Sequence, residues 1–126
     1  MARVKTDNLY ITWEHVLHAR DQLRASLKLP GPPPLEPLRI WGVPRGGLVA
    51  AVLLSHALDC KLVLTVNPAE ATLIVDEFAD TGATLREYAA CPTAALFMRK
   101  GCSLPPDFFG MLIHDRRYIV FPWEIG

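Results

Sequence analysis

Asp76 and Glu77 stand side by side at the end of the apolar run Thr72-Leu73-Ile74-Val75, and Asp80-Thr81-Gly82-Ala83-Thr84 follows almost at once. A buried charge is costly, so two carboxylates placed where an interior strand stops belong at the carboxyl edge of a sheet, where open α/β sheets bind ligands. The second group is rich in hydroxyls and backbone N–H and runs into the helical-looking Leu85-Arg86-Glu87-Tyr88. A loop that opens a helix offers unpaired amides and a positive dipole end to an anion, worth ~0.3 to 1 kcal/mol when exposed and ~2 kcal/mol when partly buried. Acids followed by a phosphate cradle suit a ligand with vicinal hydroxyls at one end and a phosphate at the other, the shape of a ribose 5-phosphate. A second anion site is expected at Arg45-Gly46-Gly47, where the glycines allow close backbone approach and the guanidinium can fork onto phosphate oxygens.

The stretch from Thr72 to Thr84 resembles the phosphoribosyl diphosphate (PRPP) signature of the type I phosphoribosyltransferases: an apolar strand, two acidic residues, a spacer, then Asp-Thr-Gly-x-Thr. The Arg45-Gly46-Gly47 turn resembles the pyrophosphate loop of the same family, which often contains a cis peptide. Tyr10-Ile11-Thr12 before Trp13 looks like the opening of the xanthine-guanine members, and Tyr118-Ile119-Val120-Phe121-Pro122-Trp123-Glu124 resembles the C-terminal hood of the 6-oxopurine members.

The resemblance implies transfer of phosphoribose from PRPP to hypoxanthine, guanine or xanthine, giving a nucleoside monophosphate and pyrophosphate. Asp76, Glu77, Asp80, Thr81, Gly82, Ala83 and Thr84 would bind PRPP, and Arg45, Gly46 and Gly47 its pyrophosphate. Asp80 would accept the proton of the base. Asp76 and Glu77 would hold the ribose hydroxyls directly or through the shell of a Mg²⁺ ion. Tyr118 would stack on the purine, the backbone of Ile119 would read its exocyclic groups, and Lys100, or Arg99 in its place, would contact O6. A homodimer or higher homo-oligomer is implied as well. Most family members carry a long mobile loop before the PRPP stretch, where this chain has only Asn67-Pro68-Ala69-Glu70.

The elements that must carry these residues alternate. Thr12 reads as an N-cap, with a helix from Trp13 in which Trp13, Val16, Leu17, Ala19, Leu23 and Leu27 recur at roughly three- and four-residue spacing and are expected to pack. Pro30-Gly31-Pro32-Pro33-Pro34-Leu35-Glu36-Pro37 can neither continue a helix nor join a ladder, and is expected to be a stiff connector. Strands are expected at 38–43, 61–66, 72–75, 93–98 and 108–113, with an apolar helix at 48–58 and another at about 84–90. The expected fold is α/β: a central, mostly parallel sheet of about five strands flanked by helices, with a small hood formed by the N-terminal segment and residues 99–126. One domain, 1–126, is expected.

The chain's 126 residues carry no formal net charge; 51% are hydrophobic and 21% charged, which speaks against a broad nucleic-acid surface and for a small-molecule partner. Cys60, Cys91 and Cys102 are odd in number and lack metal-ligand spacing, as expected of reduced thiols in a cytoplasmic protein. Neither an apolar leader nor a long apolar run points to a membrane. Two other readings share the same residues. A regulator could bind PRPP or a nucleotide on the same fold without turnover. Asp80-Thr81-Gly82-Ala83 also resembles the catalytic stretch of retroviral-type aspartic proteases, but those are all-β, whereas strand and helix patterns alternate here.

Overall fold

A computed structural model describes residues 7–27, 39–64 and 72–124. The Pro-rich connector and the turn at 67–70 lie outside the described residues. Strands β1 (Asn8–Tyr10), β2 (Arg39–Gly42), β3 (Lys61–Leu62), β4 (Thr72–Ala79), β5 (Thr93–Arg99), β6 (Phe108–Ile113) and β7 (Tyr118–Val120) alternate with helices α1 (Trp13–Leu27), α2 (Gly46–Leu58) and α3 (Ala83–Arg86). Five strands form one sheet in the order β3-β2-β4-β5-β6, every pair parallel. The fold is therefore α/β with a parallel sheet flanked by helices, and the all-β protease reading is excluded.

Side-chain alternation builds two layers on the sheet. Leu73, Val75, Ala94 and Leu96 join Val16, Ala19 and Leu23 of α1 and Ala50, Ala51 and Leu54 of α2 in the larger core. Ile74 and Ala95 face the other way, against Leu85 and Cys91, with Trp41 and Tyr88 at the edge. Towards the carboxyl ends the alternation slips. Phe78 and Phe97 turn back towards the larger core while Ala79 and Met98 join the smaller one; the register itself is unchanged, the pairing passing over Glu77 and Leu96 between Asp76↔Ala95 and Phe78↔Phe97.

Thr12 caps α1 as expected: its Oγ1 accepts the His15 N–H at 3.1 Å. On that helix Leu17 is exposed, and Trp13 packs on Trp123 with ring centroids 5.7 Å apart. Helix α2 begins at Gly46 rather than 48, and it is less enclosed than its composition implies, for Leu48 and Val52 stay exposed. Strand β3 is assigned only at Lys61 and Leu62. The helix expected at 84–90 stops at Arg86. Beyond it the chain closes in tight turns, with Ala89 N–H donating to Arg86 O and Cys91 N–H to Tyr88 O, because Cys91 must drop into the core before β5 starts. The hood is a two-stranded parallel ladder of β1 and β7, followed by a 3₁₀ turn at Pro122–Glu124. No helix among the described residues is long and apolar enough to cross a membrane.

Candidate active site

Because the sheet is parallel throughout, the carboxyl ends of β2, β4, β5 and β6 open onto one edge. The strand expected at 72–75 runs on to Ala79, because the apolar run resumes at Phe78 and Ala79, so Asp76 and Glu77 lie inside β4 rather than after it. The segments leaving the strands there are 43–45, 80–84, 100 and 114–117, and all the residues expected to bind PRPP and pyrophosphate lie at or near this edge.

The acid pair and the glycine turn are in direct contact. A Cβ on Gly46 would lie 1.6 Å from Glu77 Oε2, and one on Gly47 would lie 3.2 Å from Asp76 Oδ1. In a regular strand adjacent side chains leave opposite faces. Here the slip in alternation falls at Asp76 and Glu77, and both carboxyl groups reach the start of α2. The peptide between Pro44 and Arg45 is cis, as the resemblance to pyrophosphate loops implies. Arg45 is exposed and makes no side-chain cap on α2.

Asp76 is 6% exposed, and its Oδ1 accepts the Glu77 N–H at 2.9 Å. Burial raises its pKa, opposed by that backbone bond. Burial also pushes the Glu77 carboxyl up, to about 8, reinforced by the charges of Asp76 and of Glu124 from the hood. Glu77 Oε2 is buried without a hydrogen-bond partner. A buried polar atom without a partner is costly, so this oxygen fits a hydroxyl donor or a hydrated divalent cation. Among the described residues no group of three or more His, Cys, Asp or Glu side chains is arranged to hold a metal ion by itself. Asp76 and Glu77 would thus have to share a cation with ligand oxygens and water.

Beyond the pair runs a cleft lined by Asp76, Phe78, Asp80, Thr81, Gly82 and Thr84. Ala83 lies along it and donates its N–H to Thr81 Oγ1 at 3.2 Å. The Thr81 carbonyl is held from behind by the Leu104 N–H at 2.9 Å. Asp80 is largely exposed, and its Oδ1 accepts a hydrogen bond from Arg99 Nε at 2.9 Å.

Arg99 and Lys100 therefore differ sharply in place. Arg99 is buried beside Asp80, while Lys100 is exposed and is fixed only by its backbone N–H, which donates to Ile113 O at 2.8 Å. Tyr118 is 49% exposed on β7 and Ile119 is buried beneath it. Sequence reasoning missed the approach of Glu124 to Glu77 and the bond between Arg99 and Asp80. The second had a readable signal: strand alternation turns Arg99 inward if Lys100 turns out.

No protein-family model matches the chain, and no curated protein does. Solved structures do. The chain is similar to a purine phosphoribosyltransferase from Pyrococcus horikoshii, with 29% identity over 95% of this chain and 96% of that one and a TM-score of 0.74. A hypothetical protein from Neisseria gonorrhoeae with bound ppGpp has 18% identity and a TM-score of 0.72 over 93% of this chain and 89% of that one. A hypoxanthine-guanine-xanthine phosphoribosyltransferase has 17% identity and a TM-score of 0.52 over 79% of this chain and 74% of that one. The fold is that of the type I phosphoribosyltransferases.

Proposed function

We propose that this protein transfers the 5-phosphoribosyl group of PRPP to a 6-oxopurine base, releasing pyrophosphate and a nucleoside monophosphate. The observation that carries this reading is the contact of Glu77 with Gly46 and of Asp76 with Gly47. It brings the sugar-hydroxyl acceptors and the anion-binding turn together at one end of the Asp80–Thr84 cradle, in the order that PRPP requires. The likeness to a purine phosphoribosyltransferase over nearly the whole of both chains supports it.

In this reading the bond from ribose C1 to the pyrophosphate oxygen breaks through an oxocarbenium-like state, and a purine ring nitrogen forms the new bond to C1. The proton of the base passes to Asp80. Asp76 and Glu77 hold the ribose hydroxyls, the 81–84 amides and hydroxyls hold the 5-phosphate, and Arg45 with the Gly46-Gly47 amides holds the departing pyrophosphate. Asp76 and Glu77 would also hold Mg²⁺, which when bound offsets charge on that leaving group. Tyr118 stacks on the base and the Ile119 backbone reads its edge. Of the two cations offered to O6, Arg99 stands beside Asp80, whereas Lys100 would have to reach back from the surface. A homodimer and a cytoplasmic setting belong to the same reading. Helix α2 has no charged residue and exposes Leu48 and Val52, as a subunit contact requires.

A regulator that binds a nucleotide without turnover is the alternative, favoured by the ppGpp held on this fold in the Neisseria protein. Incubation with PRPP, Mg²⁺ and hypoxanthine, guanine, xanthine or adenine separates the two. Nucleotide and pyrophosphate formed one for one with a 6-oxopurine support transfer. Tight PRPP or nucleotide binding without product supports the regulator, and adenine turned over faster than the 6-oxopurines would overturn the choice of base.

A further inference from the structure

We infer that Arg99 is a positioning residue for Asp80, and that it ties the orientation of this carboxylate to the turn at 115–117 from which Tyr118 departs. The kinetic part of this inference rests on the transfer reading; the clamp itself rests on geometry alone. Arg99 ends β5 with only 7% of its surface exposed. Its Nε donates to Asp80 Oδ1 at 2.9 Å, and its Nη1 donates to the carbonyl oxygens of Asp115 and Arg117, the latter at 3.0 Å. The guanidinium carbon stands 5.0 Å from the centroid of the Phe78 ring, so a planar group is held on its face as well as at its edges. Three of the donor hydrogens of a guanidinium are thereby committed to the protein, and those on Nη2 are left for a ligand.

The turn that receives Nη1 has a built shape. Asp115 Oδ1 accepts the Arg117 N–H at 2.7 Å, and the Arg117 guanidinium closes on the same carboxylate at 2.8 Å. This aims the carbonyls of 115 and 117 at one point, which Arg99 occupies. A rigid fork with one edge on the turn and the other on Asp80 transmits a rotation of either to its partner. Lysine, a single point donor, cannot span both. Asp80 is mostly exposed and would otherwise sample several rotamers in water; the clamp commits Oδ1 and leaves Oδ2 free to accept a proton.

The test is a double-mutant cycle with Arg99→Lys and Asp80→Asn. Positioning through Asp80 predicts that Arg99→Lys lowers kcat ~10- to 100-fold, a part of the ~10² to 10⁴ a general base supplies, with the KM for PRPP nearly unchanged. In the Asp80→Asn background the same substitution should cost nothing further. Costs that multiply would overturn the inference, since a residue that only touched the base would lose its contact in either background.

Hydrogen exchange gives an arm that needs no turnover. Asp80→Ala removes an exposed side chain together with the acceptor of the Arg99 Nε–H bond, and should leave the fold intact while speeding amide exchange at 115–118; Arg99→Lys should speed it there and at 80–82. Unchanged exchange at 115–118 in Asp80→Ala would overturn the clamp. A wild-type protein that showed the exchange coupling without turnover would instead retain the clamp and remove the transfer reading.

Discussion

A Cβ on Gly82 would lie 1.7 Å from the carbonyl oxygen of Leu104, and Gly82 itself has φ of +89°. The turn after β5 thus crosses directly behind the Asp80–Thr84 loop, through space that only a glycine leaves open.

Gly82→Ala should accordingly fail twice, by forcing a side chain into a left-handed backbone conformation and by colliding with backbone rather than with a movable side chain. The first effect alone costs ~1 to 2 kcal/mol. Thermal unfolding should fall by several degrees, and PRPP affinity measured by calorimetry should fall with it. A variant as stable and as tight as the wild type would show that the cradle can move away from Leu104.

Glu77 sets a dependence of stability on pH. Its pKa rises from an ordinary 4.5 to about 8 in the fold, so between those values the folded state holds a proton that the unfolded state has released. Stability therefore declines as pH rises through this window. Glu77→Gln, which keeps shape and removes the charge, should raise the melting temperature at pH 8 to 9 and change it little at pH 5. Equal shifts at both values would mean that Glu77 ionises freely.

Removal of the second acid should be felt in binding. A carboxylate accepting hydrogen bonds from ribose hydroxyls is worth ~1.5 to 3 kcal/mol, so Asp76→Ala should weaken PRPP by roughly that amount in a calorimetric titration. Because Asp76 also accepts the Glu77 N–H, the comparison needs a melting curve to show that the variant is folded.

At the base end, Tyr118→Ala should cost ~1 to 3 kcal/mol of stacking for any purine, read as a higher KM for the base with that for PRPP unchanged. Lys100→Ala separates the two cations. If Arg99 alone serves O6, the variant keeps its preference for hypoxanthine over adenine; if Lys100 reaches the site, that preference collapses.

Which parts of this site were legible in the sequence follows from how local their causes are. The order from β2 through Gly46-Gly47 to α2, and from β4 to the Asp80–Thr84 loop, could be read because each is a contiguous run of matching residue types, but the bounds could not: β4 runs past 75 to Ala79 and takes in both acids, and α2 begins at Gly46 rather than 48. The contact of both acids with one glycine pair could not, because it depends on a slip in alternation shared by β4 and β5, and no single strand shows it. The length of α3 was misjudged because Leu85, Arg86, Glu87 and Tyr88 are acceptable helix formers, while the stop comes from Cys91 and from the packing of Tyr88 on Trp41, with ring centroids 5.2 Å apart. Arg99 is a cation inside a strand of apolar neighbours, and its partners come from Asp80 and from the 115–117 turn, on opposite sides of it in the chain.

The pairing of β1 with β7 joins Asn8 to Tyr118 and Tyr10 to Val120, across nearly the whole described chain. Among the described residues, contacts so distant in sequence carry the highest loop-closure entropy, and three residues on each side give them few bonds to offset it. In the finished protein this ladder should therefore be the first to open and the last to close, and amide exchange at Leu9 and Ile119 should run ahead of that in β4 and β5.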